Sequence, residues 1–273
     1  METIIVGTDF SLPAQNAVNY AVELAKYFSA KLVLVNSFSL PLGGYDSAVP
    51  MDMLAALQDG SLKGLQELKQ SIIKKNYDFG IECVSQVGSP YSVIKDAVVK
   101  HSGDLVVAGM VGEAAFLKRH LIGSSAISMA RNLQVPTFII PETASYRKIQ
   151  NICFACDMDK IEEDTLIYTA RSFSKIFDAE LEIVTIDNND QELVFDKSET
   201  YTFVENRLQG VKHKQVHIED KNVSKALEYY FKFHKTDVVM VNPKKHTLLE
   251  KLFTKSITKT LAYTLEVPIL VVH

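Results

Sequence analysis

The sequence contains no tryptophan, few cysteines and no excess of basic side chains. Its three cysteines (Cys83, Cys153 and Cys156) provide no disulfide framework and fit a reducing compartment. The 29 Lys and Arg residues against 33 Asp and Glu residues give a formal net charge of −4. That balance gives no electrostatic footprint for nucleic acid, which requires clustered basic surface. We therefore expect no nucleic-acid partner.

Long apolar runs are also missing. No stretch approaches the length that a membrane-spanning helix requires, so we expect no membrane partner. The first residues, METIIVGTDF, have neither a basic leader nor the apolar region of a signal peptide. From these absences we expect a cytoplasmic protein.

Short apolar runs alternate with segments of helical periodicity, which indicates parallel βα units with helices on both faces of a sheet. The apolar runs are typical of buried strands. The helix-period segments carry one apolar stripe each, for packing on that sheet. Strands are predicted near 3–7, 31–35, 81–86, 105–108 and 137–140, and helices near 14–29, 52–76 and 91–100.

The pattern then begins again after a polar linker. The segment 149–157 parallels 3–9, and 177–184 parallels 28–35. Further on, 236–241 parallels 103–108 and 266–272 parallels 134–140. Each copy has enough strands to bury its own sheet, so the repetition indicates duplicated domains rather than a solenoid. We predict two tandem α/β domains, 1–143 and 147–273.

The segment from Asp104 to Pro141 carries the most informative pattern. An apolar run is followed by Gly109 and Gly112, and Gly123-Ser124-Ser125 then precedes a helix-period segment. Glycines let a ligand approach the backbone closely, and N–H groups at a helix start favour an anion such as phosphate. The alternative is that the glycines only mark turns and that one serine is only a helix cap.

These residues resemble the nucleotide-binding motif of the universal stress protein family. Gly109-Met110-Val111-Gly112 matches the first half of that motif, and Gly123-Ser124 matches the second half. The interval between the halves is ten residues, Glu113 to Ile122, which is one more than the family pattern.

The resemblance covers essentially the whole chain and is that of a tandem form of the family. It implies doubly wound parallel sheets with strand order 3-2-1-4-5, of the adenine nucleotide alpha hydrolase-like type, paired as an intrachain pseudo-dimer. Association through the fifth strands also implies a possible homodimer. The implied ligand is ATP, AMP or ADP, with or without Mg²⁺. The resemblance places Asp9 near the nucleotide and backbone atoms about Val35 against the adenine.

The second copy lacks this signature. Lys255 stands where the first copy has Gly123, and Asn242 stands where it has Gly109. Pro243 follows and removes a backbone donor. The basic residues of this region could hold an anion, although such a run is more often a solvated face. We therefore expect one nucleotide site per chain, in the first copy.

Two further motifs have structural explanations. Cys153-x-x-Cys156 suggests a redox or zinc site, but it lies inside a predicted strand with no second cysteine pair, which favours buried small side chains. His213 and His217 would share one face of a strand, but no third metal ligand is evident, which favours surface histidines.

Three functions remain open on the sequence. The first is a stress-response module that binds an adenine nucleotide and acts through conformation or association. The second is a slow ATPase in the same crevice, which we rank lower because no P-loop lysine is present and Asp9 is the only evident base. The third is an interaction scaffold that has lost nucleotide binding. We expect a binding protein rather than an enzyme.

Overall fold

The structure is a computed structural model. Its described residues divide into two compact units, Met1–Tyr146 and Arg147–His273. No helix among them is long and apolar enough to cross a membrane. The described residues are 1–40, 51–75, 79–110, 124–156, 164–187, 197–220, 223–242 and 267–273.

The first unit is a five-stranded parallel sheet in the order β3-β2-β1-β4-β5. The central strands are buried on both faces, which is why they are apolar throughout and do not alternate. The elements are β1 (Thr3–Gly7), α1 (Leu12–Phe28), β2 (Lys31–Phe38), α2 (Met51–Ile73), β3 (Ile81–Val87), α3 (Pro90–His101), β4 (Leu105–Met110), α4 (Ser124–Asn132) and β5 (Thr137–Pro141).

The second unit has the same topology, with its strands in the order β8-β7-β6-β9-β10. Both units therefore have the predicted doubly wound strand order, and the predicted fold class is confirmed. The elements are β6 (Asn151–Cys156), α5 (Asp164–Phe177), β7 (Glu180–Asp187), α6 (Lys197–Arg207), β8 (His213–Glu219), α7 (Val223–Phe233), β9 (Val238–Val241) and β10 (Ile269–Val271).

The two units share backbone details as well as topology. An aspartate just before the fourth strand of each unit binds the start of the first strand. Asp104 Oδ2 accepts hydrogen bonds from the Glu2 and Thr3 N–H groups at 2.6 and 3.0 Å. Asp237 Oδ2 accepts from the Gln150 and Asn151 N–H groups, both at 3.0 Å. A carboxylate thus fixes the same two strands in each copy.

Two strands of the first unit are longer than the sequence indicated by two residues or more. We predicted that β2 ends at Val35, but it continues to Phe38 because its last residues pair with β3. We placed Gly109 after β4, but it lies inside this strand and pairs with Ile140 of β5. Both predictions failed for one reason: pairing with a neighbouring strand extends a strand beyond its apolar run. The loop over 37–50, whose two prolines and two glycines predict a lid or an interface, begins inside β2, and its residues 41–50 lie outside the described residues.

Two glycines in α2 occupy different surroundings, and we expect alanine substitution to raise stability at only one of them. No atom lies within 4 Å of a Cβ built on Gly60. Gly60→Ala should therefore raise the free energy of unfolding by about 0.7 kcal/mol, because alanine lowers the entropy of the unfolded chain. Urea unfolding followed by circular dichroism measures this change.

Gly64 in the same helix is the matched control. A Cβ there would lie 2.7 Å from Cζ of the Phe10 ring. In Gly64→Ala, overpacking against Phe10 should therefore cancel the rise in the free energy of unfolding that alanine gives at Gly60. Equal stabilisation by both substitutions would contradict the packing of Phe10 on α2.

Candidate functional site

A pocket of about 150 Å³ lies at the carboxyl ends of the strands of the first unit. This edge is where open parallel sheets bind ligands, at the point where the strand order reverses between β1 and β4. Most of the wall is apolar, and Asp9 is the only ionisable side chain among the described lining residues. The lining is Gly7, Thr8, Asp9, Ser11, Pro13, Ala14, Val35, Ser37, Pro90, Ile94, Ala108, Gly109, Ser125, Ala126 and Met129.

Three helices begin at this pocket. The Ser11 side chain caps α1 by accepting from the Ala14 N–H at 3.4 Å, and Ser89 caps α3 by accepting from Ser92 at 3.2 Å. The helix α4 begins at Ser124, and Ser125 in its first turn lines the pocket. Helix N-termini carry partial positive charge and N–H groups without intrahelical partners. The wall therefore favours an anion at one end although it has no described basic side chain.

The loop that carries Asp9 is fixed by local hydrogen bonds. Asp9 Oδ1 accepts from the Ser11 N–H at 3.0 Å and from the Ser11 hydroxyl at 2.5 Å. Phe10 adopts a left-handed backbone with φ of 64°, and its N–H donates to Thr8 Oγ1 at 3.0 Å. The Asp9 carboxylate thus has a local structural partner, and Asp9 also lines the pocket.

The end of β2 presents backbone groups to the pocket. Residues along a parallel strand direct their N–H and C=O groups alternately to one neighbour and the other. The Val35 carbonyl accepts from Thr8 at 2.9 Å, on the β1 side, and the Phe38 carbonyl accepts from Gly88 at 2.9 Å, on the β3 side. Ser37 therefore directs its backbone groups to the β1 side, where β1 has already ended at Gly7.

This geometry bears on the residue predicted to meet adenine. Val35 lines the pocket, but its carbonyl already belongs to the sheet ladder. Ser37, which the sequence did not single out, offers a backbone edge beyond the end of β1. The local sequence could not indicate the role of the Ser37 backbone, because that role depends on where the neighbouring strand β1 ends.

Gly109 lines the pocket and also has a packing role. A Cβ on this residue would lie 2.5 Å from the Pro13 carbonyl oxygen and 3.1 Å from the Ala14 nitrogen. The first turn of α1 thus occupies the space that a side chain at this position would fill. The glycine is required by a close approach of backbone to backbone, whether or not a ligand is bound.

The remaining predicted site residues differ in what the structure says of them. Ser125 lines the pocket, and Ser124 is the first residue of α4. Gly112 and Gly123 lie outside the described residues. The substituted motif of the second copy lies mostly outside them too, apart from Asn242 at the end of β9.

The cysteine and histidine motifs lie in strands, where the cysteines are buried and the histidines contact polar side chains. The thiols of Cys153 and Cys156 are buried in β6, and burial raises the pKa of the Cys153 thiol, which disfavours the reactive thiolate. His213 and His217 share one face of β8. The His213 ring lies 3.1 Å from Glu205, and that of His217 lies 3.1 Å from the Thr185 hydroxyl. No group of side chains suited to a metal occurs in the described part of the chain.

Known proteins are similar to this chain in sequence and, for one solved structure, in fold over nearly its whole length. A universal stress protein of Mycobacterium tuberculosis is 27% identical over 150 residues, which are 52% of this chain and 97% of that protein. The crystal structure of a universal stress protein from Archaeoglobus fulgidus covers 99% of this chain and 97% of its own, with a TM-score of 0.74 and 17% identity, and is similar in fold. A universal stress protein solved in complex with cAMP covers 51% of this chain at 23% identity, with a TM-score of 0.39.

The family assignment rests on the first unit. This unit contains the doubly wound sheet, the pocket at the reversal of strand order and the glycine of β4. Residues 1–141 match the universal stress protein family. The chain therefore belongs to the universal stress protein family.

Proposed function

We propose that the pocket of the first unit binds an adenine nucleotide, ATP, ADP or AMP, and that the protein acts through this binding rather than through turnover. Family membership supports a role in stress response. In this proposal residues 1–143 are the nucleotide-binding domain and residues 147–273 a degenerate copy. The site of action is the cytoplasm.

The observation that carries the proposal is the backbone edge of Ser37. Because the Val35 and Phe38 carbonyls bond to β1 and β3 respectively, alternation along β2 directs the N–H and C=O groups of Ser37 past the end of β1, and Ser37 lines the mostly apolar pocket. The Watson–Crick edge of adenine presents one acceptor and one donor side by side, which such a backbone pair complements. Guanine presents the opposite order on the corresponding atoms, so the same edge would select against it.

The rest of the nucleotide has matching groups nearby. Asp9 lines the pocket, and a carboxylate accepts hydrogen bonds from a ribose hydroxyl or an amino group. The first turn of α4, with Ser125, offers N–H groups to phosphate. Gly112 and Gly123 complete the phosphate cradle in this proposal.

Binding without hydrolysis fits the described wall better than catalysis does. Hydrolysis of ATP requires a positioned water and stabilisation of charge on the transferred phosphoryl group. Asp9 is the only ionisable side chain of the described lining, and its Oδ1 already accepts two hydrogen bonds from Ser11. We therefore rank a slow ATPase second.

The test separates the Ser37 backbone from its side chain. Ser37→Pro removes the N–H that points into the pocket and keeps the ladder with β3, because that N–H is on the other side of the strand. We expect ATP to bind Ser37→Pro at least about tenfold more weakly than wild type, which is the loss of roughly one hydrogen bond. Isothermal titration of the full chain measures the affinity.

Two controls make the result specific. Ser37→Ala keeps the backbone donor and should bind ATP as wild type does. GTP should bind wild type far more weakly than ATP. Absence of ATP binding to folded wild-type protein would overturn the nucleotide proposal, and equal affinity of wild type and Ser37→Pro would place the base elsewhere.

A further inference from the structure

A chain of buried polar groups runs beneath the pocket on the opposite face of β2. Thr8, Asn36 and Ser61 are 6%, 6% and 7% exposed. Ser85 donates to the Ser61 hydroxyl at 2.6 Å, and Ser61 donates to Asn36 Oδ1 at 2.6 Å. Asn36 Nδ2 then donates to the Thr8 carbonyl at 2.7 Å. Every donor in this Ser85-to-Thr8 chain points the same way.

A buried carboxamide at this place carries a cost, because each of its polar atoms must find a partner after losing water. An apolar residue would serve the core of the sheet without that cost. In the second unit, Thr185 stands at the matching position of β7, and its hydroxyl lies 3.1 Å from His217 of β8. The carboxamide is thus a feature of the copy that carries the pocket.

Both ends of the Asn36 cross-link lie at the pocket, because Thr8 lines it and Asn36 is the sequence neighbour of the lining residue Ser37. Thr8 precedes Asp9, and Asn36 precedes Ser37. Thr8 is also fixed through its N–H to Val35 and through its hydroxyl to Phe10. One carboxamide therefore joins the loop after β1 to the end of β2, with Ser61 fixing which way the carboxamide points.

We propose that Asn36 is a positioning residue for the ligand pocket: its side chain sets the placement of Asp9 and of the Ser37 backbone, and Ser61 on α2 holds it in that orientation. The inference rests on the proposed nucleotide site for its effect on binding. The geometry itself requires no ligand.

The first experiment replaces the Asn36 side-chain amide, which donates to the Thr8 carbonyl, by a group that can donate only when it is protonated. Asn36→Asp has the same shape, but its carboxylate repels the Thr8 carbonyl, whereas the protonated acid can donate to it again. Burial raises the pKa of a carboxyl, so protonation falls in a measurable range. We compare the ATP affinity of Asn36→Asp with that of wild type at each pH. We expect the variant to bind ATP about tenfold more weakly than wild type at pH 8, and to bind it nearly as well as wild type near pH 5.5. A merely structural role would move only the unfolding midpoint.

The second experiment needs no nucleotide. Ser61→Ala removes the group that orients Asn36, and Ser71→Ala on the same helix is the matched control, since Ser71 only donates to the Leu68 carbonyl at 2.7 Å. In the full chain, the amide NMR signals of Asp9, Ser11 and Ser37 should shift in Ser61→Ala and remain in place in Ser71→Ala. With ATP, Ser61→Ala should bind about fivefold more weakly.

The outcomes separate this inference from the proposed function. Shifted amide signals in a protein that binds no ATP would support the positioning role and reject the nucleotide. Normal ATP binding, with a flat pH ratio for Asn36→Asp and unshifted signals in Ser61→Ala, would overturn the positioning role and leave the nucleotide site standing.

Discussion

Gly109→Ala is expected to lower the free energy of unfolding by about 3 kcal/mol, near the upper end for an overpacked site. The added Cβ would lie 2.5 Å from the Pro13 carbonyl oxygen and 2.8 Å from its carbon. These are backbone atoms of the first helical turn, so no rotamer change relieves the contact. The start of α1 must move, and with it the Ser11 cap that holds Asp9. Unfolding in urea, followed by far-ultraviolet circular dichroism because the chain has no tryptophan, measures the loss.

Gly7→Ala is the control for this substitution, because Gly7 lines the same pocket. A Cβ on Gly7 would lie 3.4 Å from Cδ1 of Ile94, which is ordinary van der Waals contact. We expect a change of less than about 1 kcal/mol. If Gly109→Ala were as well tolerated as Gly7→Ala, the close approach of α1 to β4 would be wrong.

Asp237→Asn is expected to destabilise the second unit by about 2 to 3 kcal/mol, the range for hydrogen bonds to a charged acceptor. Asp237 is 2% exposed, and its Oδ2 accepts from two backbone N–H groups and the Asn151 side chain. Arg147 lies 3.4 Å from the other oxygen. An amide keeps the shape, but it loses the charge and brings an NH₂ group toward donors. Denaturant unfolding measures this change.

The internal repeat supplies the control. Asp104 makes the same pair of backbone contacts in the first unit but is exposed to solvent. Water can replace the lost acceptor there, so Asp104→Asn should cost about 1 kcal/mol or less. A larger loss from Asp104→Asn than from Asp237→Asn would contradict burial as the cause.

The repeat and the fold class were readable from local pattern. Strands buried on both faces are apolar throughout, and helices that pack on them show one apolar stripe, so periodicity separates the two. The segments that match between the two halves of the chain then indicated a duplicated domain. The glycine and serine pattern from Gly109 to Ser125 carried the resemblance to the family, which the match over residues 1–141 confirms.

The strand ends were not readable in this way. The polar Ser37 and the glycine at 109 belong to strands because β3 and β5 pair with them, and pairing partners are distant in sequence. The position of Gly112 and Gly123 stays a prediction. Asp9, Val35 and Ser125 were proposed from the sequence and line one pocket.

The sequence by itself determined a tandem α/β protein of the universal stress family, because hydrophobic period and motif spacing are local properties of the chain. Only the tertiary structure decided which groups face the pocket. The Ser37 backbone is directed to the pocket because β1 ends before it could pair with Ser37. Position 109 requires glycine because the first turn of α1 occupies the space of a side chain. Asn36 joins two segments that only the sheet brings together. Such roles depend on the relative ends and approaches of elements, which no single segment of sequence contains.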